Sequence, residues 1–391
     1  MKTLKALISI LLLMIEATAI AAGAQPITIG ERRSIESEVL GETREIHVWR
    51  PTSYSASEFR YPVLYVLDAE SEFLHTVAAV DFLSSTDQIP ETIVIGISNT
   101  IRSRDLTPPS DNKEETAFWP AVGGAENFRR FLRMELIPLV DNEFRTEPYR
   151  SLRGNSFGGL FAINDYMSGD PVFDAVIVAS PAVGWNYREL IKRAPAFFED
   201  GIPRPIFVGA AGRDFPGNLE GIEEYVQAME TVAPDSRLWK FAMYEDDSHY
   251  SLAFQCTYDG LRFVFAGWQV PDDIAVRAQF ADFERHYAGL SARFGYTVKI
   301  PMLAIIRLGN QLLREKRWSE GITVMRRNLE LYPSQPESYW HVGDAYLLSG
   351  DFEAARSWFV KAVDAAEALG SADLADYKHS LTELDSKLYD Q

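Results

Sequence analysis

The sequence predicts an α/β protein: a doubly wound, mostly parallel sheet with an antiparallel N-terminal edge, followed by a small all-α region. Three observations carry this. A polar–apolar alternation opens the chain, short apolar runs then alternate with amphipathic helical stretches, and after Pro271 the composition becomes helix-rich.

Glu31–Val39 and Arg44–Trp49 alternate polar and apolar residues on either side of Gly41-Glu42, as an antiparallel hairpin does. The runs Pro62–Leu67, Thr92–Ile97, Ala175–Ala179, Pro205–Val208 and Trp239–Tyr244 are mostly apolar, and the short run Arg150–Leu152 is read as a strand with them. They suit strands covered on both faces, the usual state of a parallel sheet. Helical patterns such as Glu126–Asn142 and Asn218–Thr231 lie between them. Residues 25–270 therefore form the first domain, 271–298 a helical linker and 299–391 a second, helical region.

That last region is self-similar at an offset of 34 residues: Gly309 and Gly343, Leu312 and Tyr346, Trp318 and Phe352, Met325 and Phe359 correspond. The second copy, Tyr339–Ala362, resembles a tetratricopeptide repeat, in which small residues let paired helices approach and aromatics fill the groove between pairs. In the first copy, Ile305–Pro333, Gly321 and Asn328 stand where alanines are usual. Ala372–Leu388 would form a terminal capping helix. Two copies are fewer than such arrays usually need, so the region is expected to pack on the first domain or on another subunit. It would offer a surface for self-association or for a protein partner.

The first residues read as a leader. Lys2 and Lys5 precede the apolar run Ala6–Ile15, which is short for a membrane span, and Ala22-Gly23-Ala24 offers a cleavage site before Gln25. The protein is expected to be exported, to the periplasm or the medium, after losing residues 1–24. A retained leader would make a membrane anchor instead.

Of the 391 residues 47% are hydrophobic and 24% charged, as in a packed globular protein and unlike a disordered chain. The net charge of −18, from 38 basic and 56 acidic residues, opposes binding to nucleic acid or anionic lipid. With Cys256 as the lone cysteine, neither an intrachain disulfide nor a cysteine-based zinc site can form. The six histidines make no metal-binding pair spacing, so no metal and no cofactor is expected.

Chemistry concentrates around Gly154-Asn155-Ser156-Phe157-Gly158-Gly159, a G-x-S-x-G pattern between the Arg150–Leu152 strand and the helical run Leu160–Met167. A strand turning sharply into a helix strains its serine, lifts the hydroxyl above the sheet and leaves the Phe157 N–H unpaired at the helix start. Such a serine needs a base, and the base needs an orienting carboxylate. His249 is the one later histidine in a polar loop just after a strand of the first domain. Asp214, after the Pro205–Val208 strand, is the first choice of acid, with Glu220 and Glu224 as alternatives. A second oxyanion donor should come from the turn after Tyr61–Leu67, where the Glu70 N–H is favoured over that of Ala69.

Several segments in order resemble the bacterial putative-esterase family of α/β-hydrolases, over roughly Ile29 to Trp268. They are the Tyr61–Asp68 strand, Gly96-Ile97-Ser98-Asn99-Thr100 with Arg102 and Arg104-Asp105-Leu106-Thr107-Pro108, Glu135-Leu136-Ile137-Pro138, Asn142–Thr146, the Ser156 turn, and Ser180-Pro181-Ala182-Val183-Gly184-Trp185. Two departures stand out: Asn155 replaces a common histidine, and Asp68-Ala69 replaces the more usual Asp-Gly or His-Gly. The resemblance implies hydrolysis of small acyl esters through an acyl-serine, with Ser156, His249 and Asp214 as triad and Phe157 and Glu70 amides as oxyanion hole. Trp185, Arg102 and Trp119 would wall the pocket. A siderophore lactone hydrolase or an acyltransferase would use the same triad. A non-catalytic protein binding partners through its repeats is the contrasting expectation, opposed by the survival of every triad residue.

Overall fold

The computed structural model describes residues 27–55, 57–119, 121–234 and 237–389; the expected leader lies outside the described residues. Eight strands form one sheet: β1 (Glu31–Ser37), β2 (Glu42–Trp49), β3 (Tyr61–Leu67), β4 (Ile93–Ile97), β5 (Thr146–Asn155), β6 (Ala175–Ala179), β7 (Ile206–Arg213) and β8 (Trp239–Ser248). Their order is β1-β2-β4-β3-β5-β6-β7-β8; β2 pairs antiparallel with both β1 and β4, and the remaining pairs are parallel. The direction of winding reverses between β3 and β5, which opens a crevice at their C-terminal ends.

Helices cover both faces: α1 (Ala69–Ser85), α2 (Arg102–Leu106), α3 (Lys113–Phe118), α4 (Ala125–Phe131), α5 (Ile137–Glu143), α6 (Phe157–Tyr166), α7 (Trp185–Phe197), α8 (Asn218–Val232) and α9 (Ala253–Val264). All of β3 is buried, and it alternates between two cores. Val63, Tyr65 and Leu67 join Phe128, Phe131, Leu160 and Phe161 on one face, whereas Leu64 and Val66 join Val77, Val80, Leu261 and Val264 on the other. Continuous hydrophobicity in the strand therefore follows from burial on both sides.

Three local readings need correction. The helix expected over Glu126–Asn142 is interrupted by a π-helical turn at Leu132–Leu136, which gives the ring and missing N–H of Pro138 room within the rod. β5 starts at Thr146, not Arg150; the register jumps from Tyr61↔Thr146 to Val63↔Arg150, and the bulge takes up Pro148, which cannot join a ladder. β7 runs on to Arg213, because Gly212 lets the chain pass close to β8: a Cβ there would lie 2.5 Å from the Glu245 carbonyl oxygen.

After α10 (Asp272–Arg277) and α11 (Phe280–Phe294) come two helix pairs, α12 (Met302–Arg314) with α13 (Trp318–Leu331) and α14 (Pro336–Ser349) with α15 (Phe352–Leu369), then α16 (Leu374–Tyr389). The 34-residue offset has a packing basis. A Cβ on Gly309 would meet Met325 at 2.6 Å, and one on Gly343 would meet Phe359 at 2.6 Å. Asn328 is fully buried and donates from Nδ2 to Ser338 Oγ at 3.3 Å, so this polar side chain joins α13 to α14. The helices lie on the first domain: Tyr287, Phe294, Ile305 and Leu312 belong to the same core as Val77 and Leu261, and Arg307 pairs with Asp87 at 3.0 Å.

Candidate active site

β5 ends at Asn155 and α6 begins at Phe157, leaving Ser156 alone to make the turn. Its backbone sits at φ 56°, ψ −114°, a conformation side chains rarely adopt. The Ser156 N–H donates to the Ala179 carbonyl at 3.0 Å and so ties the turn to β6. A Cβ on Gly154 would run into the Gly158 backbone, and one on Gly159 would lie 2.8 Å from Pro181 Cβ. Strand and helix close on each other because those atoms are missing. Ser156 is half-buried, and its hydroxyl has no hydrogen-bond partner among the described residues.

Register brings the acid and the histidine together. Ala211 pairs with Tyr244 and Arg213 with Ser248, so a bulge absorbs extra residues of β8 and the next positions past the ladder are Asp214 and His249. His249 Nδ1 lies 2.7 Å from Asp214 Oδ1, and both side chains are almost completely buried. Burial would raise the Asp214 pKa, but the His249 ring, the neighbouring Ser180 hydroxyl and the Phe215 N–H outweigh it and hold the carboxyl below its ordinary value. Asn218 Nδ2 adds a bond to Oδ2 at 3.1 Å. An ionised carboxylate can only accept, so Nδ1 is the donor, and in the neutral ring Nε2 is the nitrogen that keeps a lone pair. Glu220 and Glu224, the alternative acids, are exposed on α8 and face Arg188 instead.

The oxyanion donors expected from Phe157 and Glu70 occupy the first turns of α6 and α1, where N–H groups have no acceptor inside the helix. The loop before α1 is held from outside. Asp68 has φ 59° and takes two bonds from Arg102, Nε to Oδ1 at 2.7 Å and Nη2 to Oδ2 at 2.9 Å. Asn99 donates to Asp68 from Nδ2 at 2.8 Å and to Glu70 from its N–H at 2.6 Å. Arg102 Nη2 also reaches the Asn155 carbonyl at 3.1 Å. Arg102, expected as a pocket wall, thus bridges the loop after β3 to the turn after β5.

Trp119 and Trp185 meet the Phe157 ring edge-on at 5.2 and 5.4 Å, and Trp185 Nε1 donates to the Pro108 carbonyl at 2.9 Å. Sequence reading did not single out Phe215 and Tyr250, whose rings lie 4.6 and 5.1 Å from the imidazole. Both stay exposed, at 51% and 71%. Each directly follows a triad candidate, and that adjacency is the signal which would have found them.

The family model for putative esterases matches residues 37–239, just over half of the chain. The chain belongs to that family. This family member is 29% identical over 184 residues to the ferri-bacillibactin esterase of Bacillus subtilis, covering 43% of this chain and 63% of that protein. It is 27% identical over 166 residues to the apo-salmochelin esterase of Escherichia coli, covering 39% and 52%. The chain thus spans between half and two thirds of the length of these curated relatives. Among solved structures, an IroE-like serine hydrolase from Shewanella oneidensis matches with a TM-score of 0.66 and 27% identity, over 77% of this esterase-family chain and 99% of that one. Sheet order, the turn at Ser156 and these likenesses agree on the α/β-hydrolase fold. Among the described residues, no group of three or more His, Cys, Asp or Glu side chains is placed to hold a metal.

Proposed function

We propose that this protein hydrolyses carboxylic esters through an acyl-serine at Ser156, with His249 as base and Asp214 as its orienting acid. The 2.7 Å Asp214–His249 bond, at the sheet edge that also carries the strained Ser156 turn, is the observation on which the reading rests. His249 Nε2 takes the hydroxyl proton while Oγ bonds to the acyl carbon. As the tetrahedral adduct collapses, the ester C–O bond breaks and the same proton passes to the leaving alcohol. Water, deprotonated by His249, then attacks the acyl carbon, and as the bond to Oγ breaks His249 returns that proton to Ser156 and the acid is released. Phe157 and Glu70 amides stabilise the oxyanion in both steps, and one such donor is worth about 3–4 kcal/mol.

Siderophore esters are the substrate class that the names of the relatives favour, and the aromatic surroundings of Phe157 and His249 suit flat apolar groups on the substrate. Transfer of the acyl group to an added alcohol would use the same machinery. Export after loss of residues 1–24 goes with this reading, and N-terminal sequencing of the secreted protein should begin at Gln25.

The test is turnover of short p-nitrophenyl esters and of siderophore esters, with a fluorophosphonate adduct mapped by peptide mass. Turnover lost in Ser156→Ala and an adduct on Ser156 support the reading. Equal turnover in Ser156→Ala, or none in wild type, rejects it in favour of a partner-binding protein.

A further inference from the structure

Arg153, just ahead of Gly154 on β5, is completely buried. An arginine at that depth requires partners, and these come from two other elements. Its Nη1 is ion-paired with Glu72 on α1. On α9, Nε donates to Thr257 Oγ1 at 3.0 Å and Nη2 to the Ala253 carbonyl at 3.3 Å. Glu72 is further held by Ser71 Oγ at 3.2 Å, with His75 Nε2 standing 3.2 Å from its carboxylate.

The three elements joined are the ones that carry the site. α1 begins just after Asp68 and carries Glu70 in its first turn, β5 leads directly into Ser156, and α9 follows the His249 loop. A buried ion pair adds little net stability over an apolar pair of equal volume. What a guanidinium supplies that an apolar side chain cannot is a rigid planar fork fixing several directions at once.

We propose that Arg153 is a positioning residue: by gripping Glu72, Thr257 and the Ala253 carbonyl beneath the site, it sets how the Ser156 turn, the oxyanion loop and the His249 loop stand to one another. This rests on the reading of Ser156 as the nucleophile. Arg153 is sealed from substrate, so its effect belongs in kcat and not in binding.

Wild type, Arg153→Lys and the double variant Arg153→Met/Glu72→Leu are compared by thermal melting, by kcat and KM on a p-nitrophenyl ester, and by the rate of fluorophosphonate labelling of Ser156. The double variant, which keeps the volume but loses the fork, should melt close to wild type. Its kcat should fall about 10- to 100-fold, as small misplacements of reacting groups cost, and labelling should slow in parallel. KM should move less than about threefold. Arg153→Lys keeps the charge facing Glu72 without the fork to α9, and should fall between. A folded double variant with wild-type kcat and labelling overturns the proposal. If that variant does not fold, a folded Arg153→Lys with wild-type kcat overturns it equally. A wild type that neither turns over nor labels sinks the hydrolase reading itself, and this role with it.

Discussion

His249 Nδ1 donates to Asp214 Oδ1 across 2.7 Å, although 35 positions separate the two residues in the chain. The bond selects the tautomer that leaves Nε2 able to take a proton. Asp214→Asn offers Nδ1 a weaker, uncharged acceptor and can stabilise the other tautomer. It should lower kcat at least about 100-fold with KM little changed, yet leave more activity than Ser156→Ala. Glu220→Gln and Glu224→Gln should be silent in the same ester assay; loss of turnover in either would reassign the acid.

The Arg102–Asp68 pair predicts a charge rescue. Arg102→Met strips a nearly buried carboxylate of its cation, beside the loop where negative charge would develop on the substrate. Stability should fall by on the order of 1–3 kcal/mol, the cost of an unsatisfied buried group, and kcat should drop. Asp68→Asn added to Arg102→Met removes that charge and should recover part of kcat. If the double variant is no better than Arg102→Met, the guanidinium acts on the substrate and not on Asp68.

Gly309 and Gly343 are equivalent in sequence but face unlike neighbours. A methyl on Gly343 would press on the stiff Phe359 ring, whereas one on Gly309 would meet the end of the flexible Met325 side chain. Gly343→Ala should therefore cost about 1–3 kcal/mol in denaturant melts, and Gly309→Ala clearly less. Equal costs would show that Met325 is as immobile as the ring.

Asp165 on α6 is buried, and burial raises its pKa to about 6 against the bonds from the Val172 N–H and the nearby arginines Arg129, Arg204 and Arg133. A folded pKa above the unfolded value of about 3.9 means that the contribution of this carboxyl is fully present at low pH and is lost as pH rises through 6. The stability of wild type relative to Asp165→Asn should accordingly be greatest below pH 4. It should shrink by on the order of 2–3 kcal/mol by pH 7. Melting curves of both proteins across that range check this, and a constant gap rejects it.

Much of the site was readable because its determinants are local. Gly154, Gly158 and Gly159 around Ser156 mark a turn that only missing side-chain atoms allow, and the apolar runs of β3, β4 and β6 announce strands buried on both faces. The bends were less readable. A proline inside a helical or strand pattern signals a break, but whether it becomes the π turn at Leu132–Leu136 or the bulge beside Pro148 depends on the neighbours each element packs against.

The order of residues alone determined the α/β class, the Ser156 turn and the candidates for its partners, since periodicity and glycine placement act over a few residues. Three-dimensional packing decided which carboxylate reaches His249, because the choice of Asp214 over Glu220 follows from a register shift between β7 and β8. It also decided that Arg102 serves Asp68 and that Arg153 joins three elements. A long charged side chain can point several ways, and only the surrounding donors, acceptors and excluded water select one.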